Sequence, residues 1–279
     1  MENNPAQPAA ILACDVGNTR VALAGVIEDK ASDIRRIGMS SACDDGCCHG
    51  DVQQFEAALA EALRQLWEEL PAPRKIVAAS VSPPNLAILE RAAARAVPGE
   101  PVLLVGRDVP LPLAVDVEEP ARVGADRVCS AAMAYEQLRE ACVVADFGTA
   151  ITVDCVSPDG VFLGGAILPG LRLGAAALHA GTAALPRVEP CRPEWVFGKN
   201  TEQAIIGGLV HGARGALREL TEAYATELGQ WPLLIVTGGD AELIVTHEEG
   251  GIIHAVVPDL CLRGIALAYH KSCLQPPNS

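Results

Sequence analysis

The sequence has few aromatic residues: Phe, Trp and Tyr together make up 4% of its 279 residues. Charged residues are also sparse, at 20%, whereas hydrophobic residues reach 50%. A chain of this length and composition can bury a sizeable core, in one large domain or two moderate ones. Because aromatic side chains are scarce, that core must be built mainly from Ala, Val, Leu and Ile, as in parallel α/β sheets.

Basic residues are outnumbered, with 21 Lys and Arg against 35 Asp and Glu, and the formal net charge is −14. Such a chain repels the phosphate backbone of nucleic acids and the headgroups of anionic lipids. We therefore expect no nucleic acid and no membrane among its partners. Any anionic ligand must be held by local hydrogen-bond donors.

The N-terminal sequence lacks a basic segment, and the first apolar run stops at Asp15. This run is too short for a membrane span and has the wrong flanks for a signal peptide. We therefore expect a cytoplasmic protein. Cys14, Cys129, Cys142 and Cys155 lie inside apolar runs, where unpaired cysteines act as small buried hydrophobic residues.

A second group of cysteines lies in a polar segment of the sequence. Residues 43–49 contain three thiols and an imidazole, but without the paired CxxC spacing of a structural zinc site. Two interpretations remain open, a metal site and an exposed loop with oxidisable thiols. The spacing favours the loop.

One short pattern occurs twice along the chain. In each copy an apolar run ends at an Asp, a glycine follows two residues later, and a second strand-like run leads out; the copies contain Asp15 and Asp146. Glycine lets backbone N–H groups approach an anion, and a strand-end Asp can hold a hard cation that bridges phosphates. Ordinary hairpin turns use the same residue types. Two copies with matching flanks favour a duplicated nucleotide-binding core.

The remaining pattern alternates between helices and strands. An amphipathic helix is predicted over 52–70, and a proline-punctuated stretch over 109–120 is the predicted domain boundary. Each half then reads as a hairpin-led sheet with helices. This predicts an α/β fold of duplicated actin-like (ribonuclease H-like) domains with mixed sheets flanked by helices. The N-terminal domain would span 1–120 and the C-terminal domain 121–279.

Five short motifs follow one another along the chain: Asp15–Thr19, Gly124–Arg127, Asp146–Ala150, Gly198–Thr201 and Thr237–Gly239. Their order and spacing resemble the type III pantothenate kinase family from residue 11 to about residue 271. The resemblance implies an enzyme that transfers the γ-phosphoryl group of ATP to the primary hydroxyl of pantothenate, the first step toward coenzyme A. It also implies a homodimer.

The resemblance implies a role for each nucleotide-binding residue. Asp15 would lie near a magnesium ion, and Asp146 would bind a monovalent cation, potassium or ammonium. Gly238 and Gly239 would lie near the adenosine. The implied ATP-binding residues are Asp15, Val16, Gly17, Asn18, Thr19, Arg20, Val21, Ala22 and Thr149.

The resemblance also implies a pantothenate site, made by Gly124, Ala125, Asp126, Arg127 and Thr201. Asp126 would be the catalytic proton acceptor, which phosphoryl transfer to an alcohol requires. From the residues alone, Asp126 could instead cap the helix that follows it. Arg127 could pair with the substrate carboxylate or with a neighbouring Glu.

Three features depart from the family pattern. Val117 stands where many members have a tyrosine, Ile151 replaces a threonine of the second loop, and residues 15–22 contain no lysine. One alternative is a non-catalytic paralogue acting as a regulatory accessory protein. The others are a kinase for another small hydroxy acid and a different small-molecule kinase or phosphatase on the same fold. The accessory interpretation does not require the intact carboxylates at 15, 126 and 146.

The alanine-rich helix after Arg127 is the predicted dimer contact. Small residues let another backbone approach closely, so this helix is expected to meet its own symmetry mate. The face that it would use comprises Val128, Ala131, Ala132 and Tyr135.

Overall fold

The computed structural model describes residues 8–38, 49–245 and 252–274. The chain forms two compact units. The first comprises the described residues up to Leu113 together with Glu119–Met133 and those from Asp259 onwards, and the second comprises Ala114–Glu118 and Ala134–Pro258. The cysteine-rich segment 43–48 lies outside the described residues.

The first unit contains a six-stranded mixed sheet. Its strands run in the order β3-β2-β1-β5-β6, with β4 also paired to β2; β1 and β2 are antiparallel, whereas β5 and β6 continue parallel to β1. Its elements are β1 (Ala10–Val16), β2 (Arg20–Ile27), β3 (Lys30–Ala31), β4 (Arg35–Gly38), α1 (His49–Glu69), β5 (Arg74–Ser80), α2 (Pro83–Ala96), β6 (Val102–Leu104) and α7 (Leu260–Leu274).

The second unit contains another six-stranded sheet, in the order β12-β11-β8-β9-β10-β7. Along the chain, a 3-10 turn over Pro120–Arg122 and α3 (Ala125–Leu138) lie between β7 and β8. The elements are β7 (Ala114–Val115), β8 (Cys142–Phe147), β9 (Ala150–Val156), β10 (Val161–Pro169), α4 (Leu171–Gly181), α5 (Thr201–Leu228), β11 (Leu233–Thr237), α6 (Ala241–Ile244) and β12 (Ile253–Val256).

One face of the first sheet is covered by α1 and α2. The stripe of Phe55, Leu59, Leu63 and Leu66 recurs at spacings of three and four, and it is buried in one cluster with Leu12 of β1. Fully burying each such side chain stabilises the fold by about 1.5–3 kcal/mol. The predicted amphipathic helix is therefore present, with a start at His49.

The other face of this sheet carries α7 and the first turns of α3. Ile265 of α7 and Cys129 of α3 cluster with Ala13 and Val77. A Cβ on Gly264 would lie 2.0 Å from the carbonyl oxygen of Cys129, so only glycine permits the two helices to approach this closely.

The two compact units do not follow the chain order. Because α7 packs on β1, β2 and β5, the last helix belongs to the first unit. The division into domains at 1–120 and 121–279 stays a prediction. The predicted boundary stretch contains β7, which pairs with β10 of the second sheet.

The four cysteines expected to be buried are buried and free. Burial raises the pKa of Cys142 to about 12 and that of Cys155 to about 11. These thiols are therefore protonated and inert at neutral pH. No helix in the described ranges is both long and apolar enough to cross a membrane.

The predicted dimer face on α3 is wrong. Val128, Ala131 and Ala132 are each 0% exposed within the single chain, and Tyr135 donates its hydroxyl to the carbonyl of Pro158. The small residues of this helix pack inside the protein, so they offer no surface to a second copy.

Candidate active site

The first predicted loop is the β1–β2 hairpin. Asp15 pairs with Ala22 across the hairpin, and the N–H of Gly17 donates to the carbonyl of Arg20 at 3.0 Å. Asn18 and Thr19 lie exposed in the turn that this bond closes. The loop therefore presents two polar residues and their backbone to solvent.

Asp15 lies where two parallel strands end. It is level with Ala79 of β5, and the N–H of Val81 donates to the carbonyl of Val16 at 3.1 Å. The carboxyl ends of parallel strands are the usual ligand-binding edge of an α/β sheet. The half-buried Asp15 carboxylate is thus placed at that edge.

The second predicted loop is the β8–β9 hairpin of the second unit. Asp146 pairs with Thr152, and the N–H of Gly148 donates to the carbonyl of Ala150 at 3.1 Å. Five residues separate this pair, whereas six separate Asp15 from Ala22. The two loops therefore have the same hairpin arrangement and differ in length by one residue.

Two glycines pack closely against Asp146. A Cβ on Gly238 would lie 2.5 Å from Oδ1 of Asp146, and a Cβ on Gly148 would lie 3.5 Å from it. Gly238 has φ +98°, which disfavours any other residue. A carboxylate can supply one oxygen ligand to a cation, so the chemistry of Asp146 fits the implied monovalent site.

The second loop is tied to two neighbouring segments of its own unit. The N–H of Gly170 donates to the carbonyl of Thr149, and the N–H of Asp240 donates to that of Phe147, both at 3.0 Å. Arg172, at the start of α4, forms an ion pair with the buried carboxylate of Asp240. The loop, the start of α4 and the turn after β11 are therefore held together.

Asp126 lies in the first turn of α3. Its Oδ1 is buried and has no hydrogen-bond partner among the described residues. Burial raises the pKa of Asp126, although the backbone N–H and the charge of Arg127 oppose this shift. A Cβ on Gly124 would lie 2.5 Å from Oδ1, so glycine is needed beside this carboxylate.

The capping interpretation of Asp126 stays a prediction; the carboxylate lies in the first turn of α3, where a negative charge favours the helix N-terminus. A capping role does not account for the oxygen left without a partner. Such an atom is costly to bury unless a ligand or water satisfies it. The side chain is therefore suited to accept a proton from a bound ligand.

Asp126 and Asp15 both lie in the first unit, and the negative charge of each affects the pKa of Cys129. The pKa of Cys129 is raised by burial first, and then by the negative charges of Asp126 and Asp15. Ala125 and Cys129 pack in one cluster with Ala79, which is level with Asp15. The first unit thus brings the first loop and the Gly124–Arg127 motif to one region.

Thr201 is the first residue of α5, in the second unit, and is exposed. The helix is capped by Asn200, whose side chain accepts from the N–H of Gln203 at 2.8 Å. The side chain of Gln203 in turn accepts from the N–H of Lys199 at 2.9 Å. The polar segment before Thr201 is therefore well ordered by local hydrogen bonds.

Two departures from the family pattern have structural counterparts. Ile151 is buried in the apolar cluster of the second unit, so its side chain contributes to packing. Val117 is half-buried and lies close to Gly164, whose Cβ would be 3.4 Å from it.

Sequence reasoning missed Asn85, whose buried side chain donates to two carbonyls of the first loop. It also missed the pair of Arg172 and Asp240. Each contact joins residues more than sixty positions apart, so no local pattern marks it.

Metal ligands are few. Among the residues that the structure describes, no group of three or more His, Cys, Asp or Glu side chains could hold a metal ion by itself. Asp15 and Asp146 can each supply one carboxylate. Ions held mainly by phosphate oxygens, backbone carbonyls and water fit such sites, as magnesium does with nucleotides.

Comparison with known proteins identifies the family. Residues 11–223 match the family model described as type III pantothenate kinase. The chain belongs to the type III pantothenate kinase family. A type III pantothenate kinase of Anaeromyxobacter sp. (strain Fw109-5) is 37% identical over 94% of this chain and 99% of its own. One from Bacillus cytotoxicus is 31% identical over 95% of this chain and 97% of its own.

Solved structures show the same fold at low sequence identity. A conserved putative Baf family transcriptional activator from Campylobacter jejuni has a TM-score of 0.57 and 19% identity, covering 95% of this chain and 100% of its own. MreB5 of Spiroplasma citri, bound to ADP, has a TM-score of 0.50 and 11% identity, covering 97% of this chain and all of its own. The predicted actin-like fold is confirmed.

Proposed function

We propose that the protein transfers the γ-phosphoryl group of ATP to the primary hydroxyl of pantothenate, the first step of coenzyme A biosynthesis. Membership of the type III pantothenate kinase family supports this reaction. The buried Asp126 carboxylate, whose Oδ1 has no hydrogen-bond partner in the part of the chain that the structure describes, is the observation that carries the mechanism. The function predicted from the motifs agrees with the family of the chain.

Asp126 acts as the general base of this reaction. Burial raises the pKa of Asp126, which makes its ionised carboxylate a better proton acceptor than that of an exposed Asp. As the substrate oxygen bonds to the γ-phosphorus, the bond from phosphorus to the β,γ-bridging oxygen breaks. The hydroxyl proton passes to Asp126, and ADP leaves.

The first loop binds the phosphates of ATP with its backbone N–H groups and with Asn18 and Thr19. These donors compensate for the missing lysine, because backbone N–H groups in a turn form an anion-binding concavity. Asp15 would hold magnesium there, and the ion would neutralise charge on the phosphates. Thr149 contacts ATP from the second loop, and Asp146 would hold potassium or ammonium.

Gly124, Ala125 and Arg127 bind pantothenate beside the base, and Thr201 contributes a further contact. The planar guanidinium of Arg127 can pair with the substrate carboxylate through two parallel hydrogen bonds. Recognition of that carboxylate would orient the hydroxyl toward Asp126. In this proposal, substrate binding and proton transfer fall to adjacent residues of the Gly124–Arg127 motif.

A second candidate function is phosphorylation of another small hydroxy acid. Val117 favours it, because an aliphatic side chain stands where family members commonly place a tyrosine. The test is a coupled ADP-release assay with ATP, magnesium and potassium, and a panel of hydroxy acids that includes pantothenate. Pantothenate should give the highest kcat/KM. A preference of tenfold or more for another acid would overturn the proposal, and no turnover of any acid would favour the accessory protein.

We also propose that the protein is a cytoplasmic homodimer that associates through α4. From Leu173 to Gly181 this helix carries one imidazole and no other ionisable side chain, and Leu173 is 49% exposed. Ile167 of β10, which precedes α4, is 64% exposed. In a chain of net charge −14, two copies meet most easily where neither presents charge.

The proposed cytoplasmic location fits the reaction, because the cytoplasm supplies the ATP that the reaction consumes.

A further inference from the structure

A buried amide side chain holds the first loop by its main chain. Nδ2 of Asn85 donates to the carbonyl oxygen of Gly17 at 2.8 Å and to that of Asn18 at 3.1 Å. Asn85 lies in the first turn of α2 and is 3% exposed. One side chain thus uses both of its N–H groups on two successive peptide units of the turn.

These two bonds determine which way the peptide units face. In a trans peptide the C=O of one residue and the N–H of the next point in opposite directions. Because the carbonyls of Gly17 and Asn18 point inward to Asn85, the N–H groups of Asn18 and Thr19 point away from it. Asn18 and Thr19 are the exposed residues of the loop. Two successive N–H groups are therefore presented outward, an arrangement that binds anions.

The segment that carries Asn85 is itself anchored. The N–H of Val81 donates to the carbonyl of Val16 at 3.1 Å, which joins the start of this segment to the end of β1. Pro83 and Pro84 then restrict the first turn of α2, since a proline ring holds φ near −65°. Asn85 is therefore delivered to the loop from a rigid support.

We propose that Asn85 is a positioning residue for the phosphates of the nucleotide. It acts through the loop main chain, by turning the N–H groups of Asn18 and Thr19 toward the phosphates, and it does not touch the nucleotide. The inference rests on the proposed function in one respect, that the first loop binds the phosphates of ATP.

The test compares nucleotide binding by the wild type, Asn85→Asp and Asn85→Ser. A carboxylate has the same shape but no N–H to donate, and a serine hydroxyl is too short to reach both carbonyls. Calorimetry with a non-hydrolysable ATP analogue and magnesium should show about a 10- to 100-fold loss of affinity, the effect of two hydrogen bonds. Adenosine, which has no phosphate, should bind as it does to the wild type.

Thr221→Val is the matched control. It removes a different buried hydrogen bond, 2.7 Å from Oγ1 to the carbonyl of Leu217, without changing the side-chain shape. It should leave the affinity for the ATP analogue unchanged.

Steady-state kinetics give a second measurement. The Asn85 variants should raise KM for ATP with little change in KM for pantothenate.

Unchanged affinity for the ATP analogue in folded Asn85→Ser would overturn the inference, and so would an equal loss for adenosine, which would indicate a merely structural role. Circular dichroism identifies the folded variants. If the wild type binds the analogue but phosphorylates another acid, the proposed substrate fails while the role of Asn85 is still decided by binding. If the wild type binds no adenine nucleotide, both proposals fail.

Discussion

Gly238 leaves room for Oδ1 of Asp146: a Cβ at this position would lie 2.5 Å from that oxygen. The same Cβ would also lie 2.5 Å from the backbone nitrogen of Phe147. Gly238 follows the strand that is parallel to β8, so it arrives beside the second loop through sheet pairing. The glycine backbone and the carboxylate are therefore in direct contact.

Gly238→Ala should impair the monovalent-cation site. The methyl group would displace Asp146, and the positive φ of +98° adds a strain of about 1–3 kcal/mol. We expect weaker activation by potassium together with a lower Tm. Gly229→Ala is the control, because Gly229 also has a positive φ, +69°, with nothing within 4 Å of its Cβ. Equal potassium responses in the two variants would contradict the assignment.

Asp126→Asn should lower kcat by roughly 10²- to 10⁴-fold, the usual contribution of a positioned general base. The amide keeps the shape of the side chain but cannot accept the proton. A loose transition state asks less of a base, so the lower end of this range is expected. Single-turnover kinetics of the folded variant measure the effect. Full activity would refute the catalytic role.

The same substitution should stabilise the protein at neutral pH. The folded-state pKa of Asp126 is raised above its usual value of 3.8, so the folded state favours the protonated form. Its contribution to stability is present below pH 3.8 and is lost as the pH rises through the folded pKa. Asp126→Asn should therefore raise Tm at pH 7 by roughly 2–4 °C for each 1 kcal/mol relieved. The gain should shrink in acid; a gain independent of pH would contradict this origin.

Asp15→Ala and Asp146→Ala should separate the two cations. Asp15→Ala is expected to raise the magnesium concentration needed for half-maximal rate, because it removes the carboxylate at the end of β1. Asp146→Ala is expected chiefly to abolish activation by potassium. Titration of each variant with both ions, at saturating ATP, measures the difference. Identical responses of the two variants would show that the loops do not divide these roles.

Leu173→Glu should dissociate the proposed homodimer, because it places a negative charge on each copy at the centre of an apolar contact. Light scattering at micromolar concentration should report a mass near twice that of the chain for the wild type and a monomer for the variant. Leu274→Glu is the control, since Leu274 is also highly exposed but lies at the end of α7. A monomeric wild type would overturn the proposal.

Local patterns were sufficient for much of this fold. The stripe on α1 and the two Asp-containing hairpins depend on residues within one helix or one turn, where spacing alone determines which side chains share a face. The motif order was sufficient to predict the family, because each motif carries its own chemistry. The helix predicted over 52–70 is present as α1 with only small shifts of its bounds, at His49–Glu69.

Contacts between distant segments were not predictable in this way. The face of Ala131 and Ala132 reads as a docking surface in the sequence, yet both residues are fully buried within the chain. An apolar helical stripe has the same pattern whether its partner is the same chain or a second one.

The sequence by itself thus determined the family and the two Asp-containing hairpins, because these depend on residue type and short spacing. Only the tertiary structure decided that Asn85 holds the loop at Gly17 and that Gly238 packs against Asp146. It also decided that Oδ1 of Asp126 is buried with no hydrogen-bond partner among the described residues. Strand pairing and helix packing bring those groups together across long stretches of chain. A one-dimensional pattern contains no distance across such stretches.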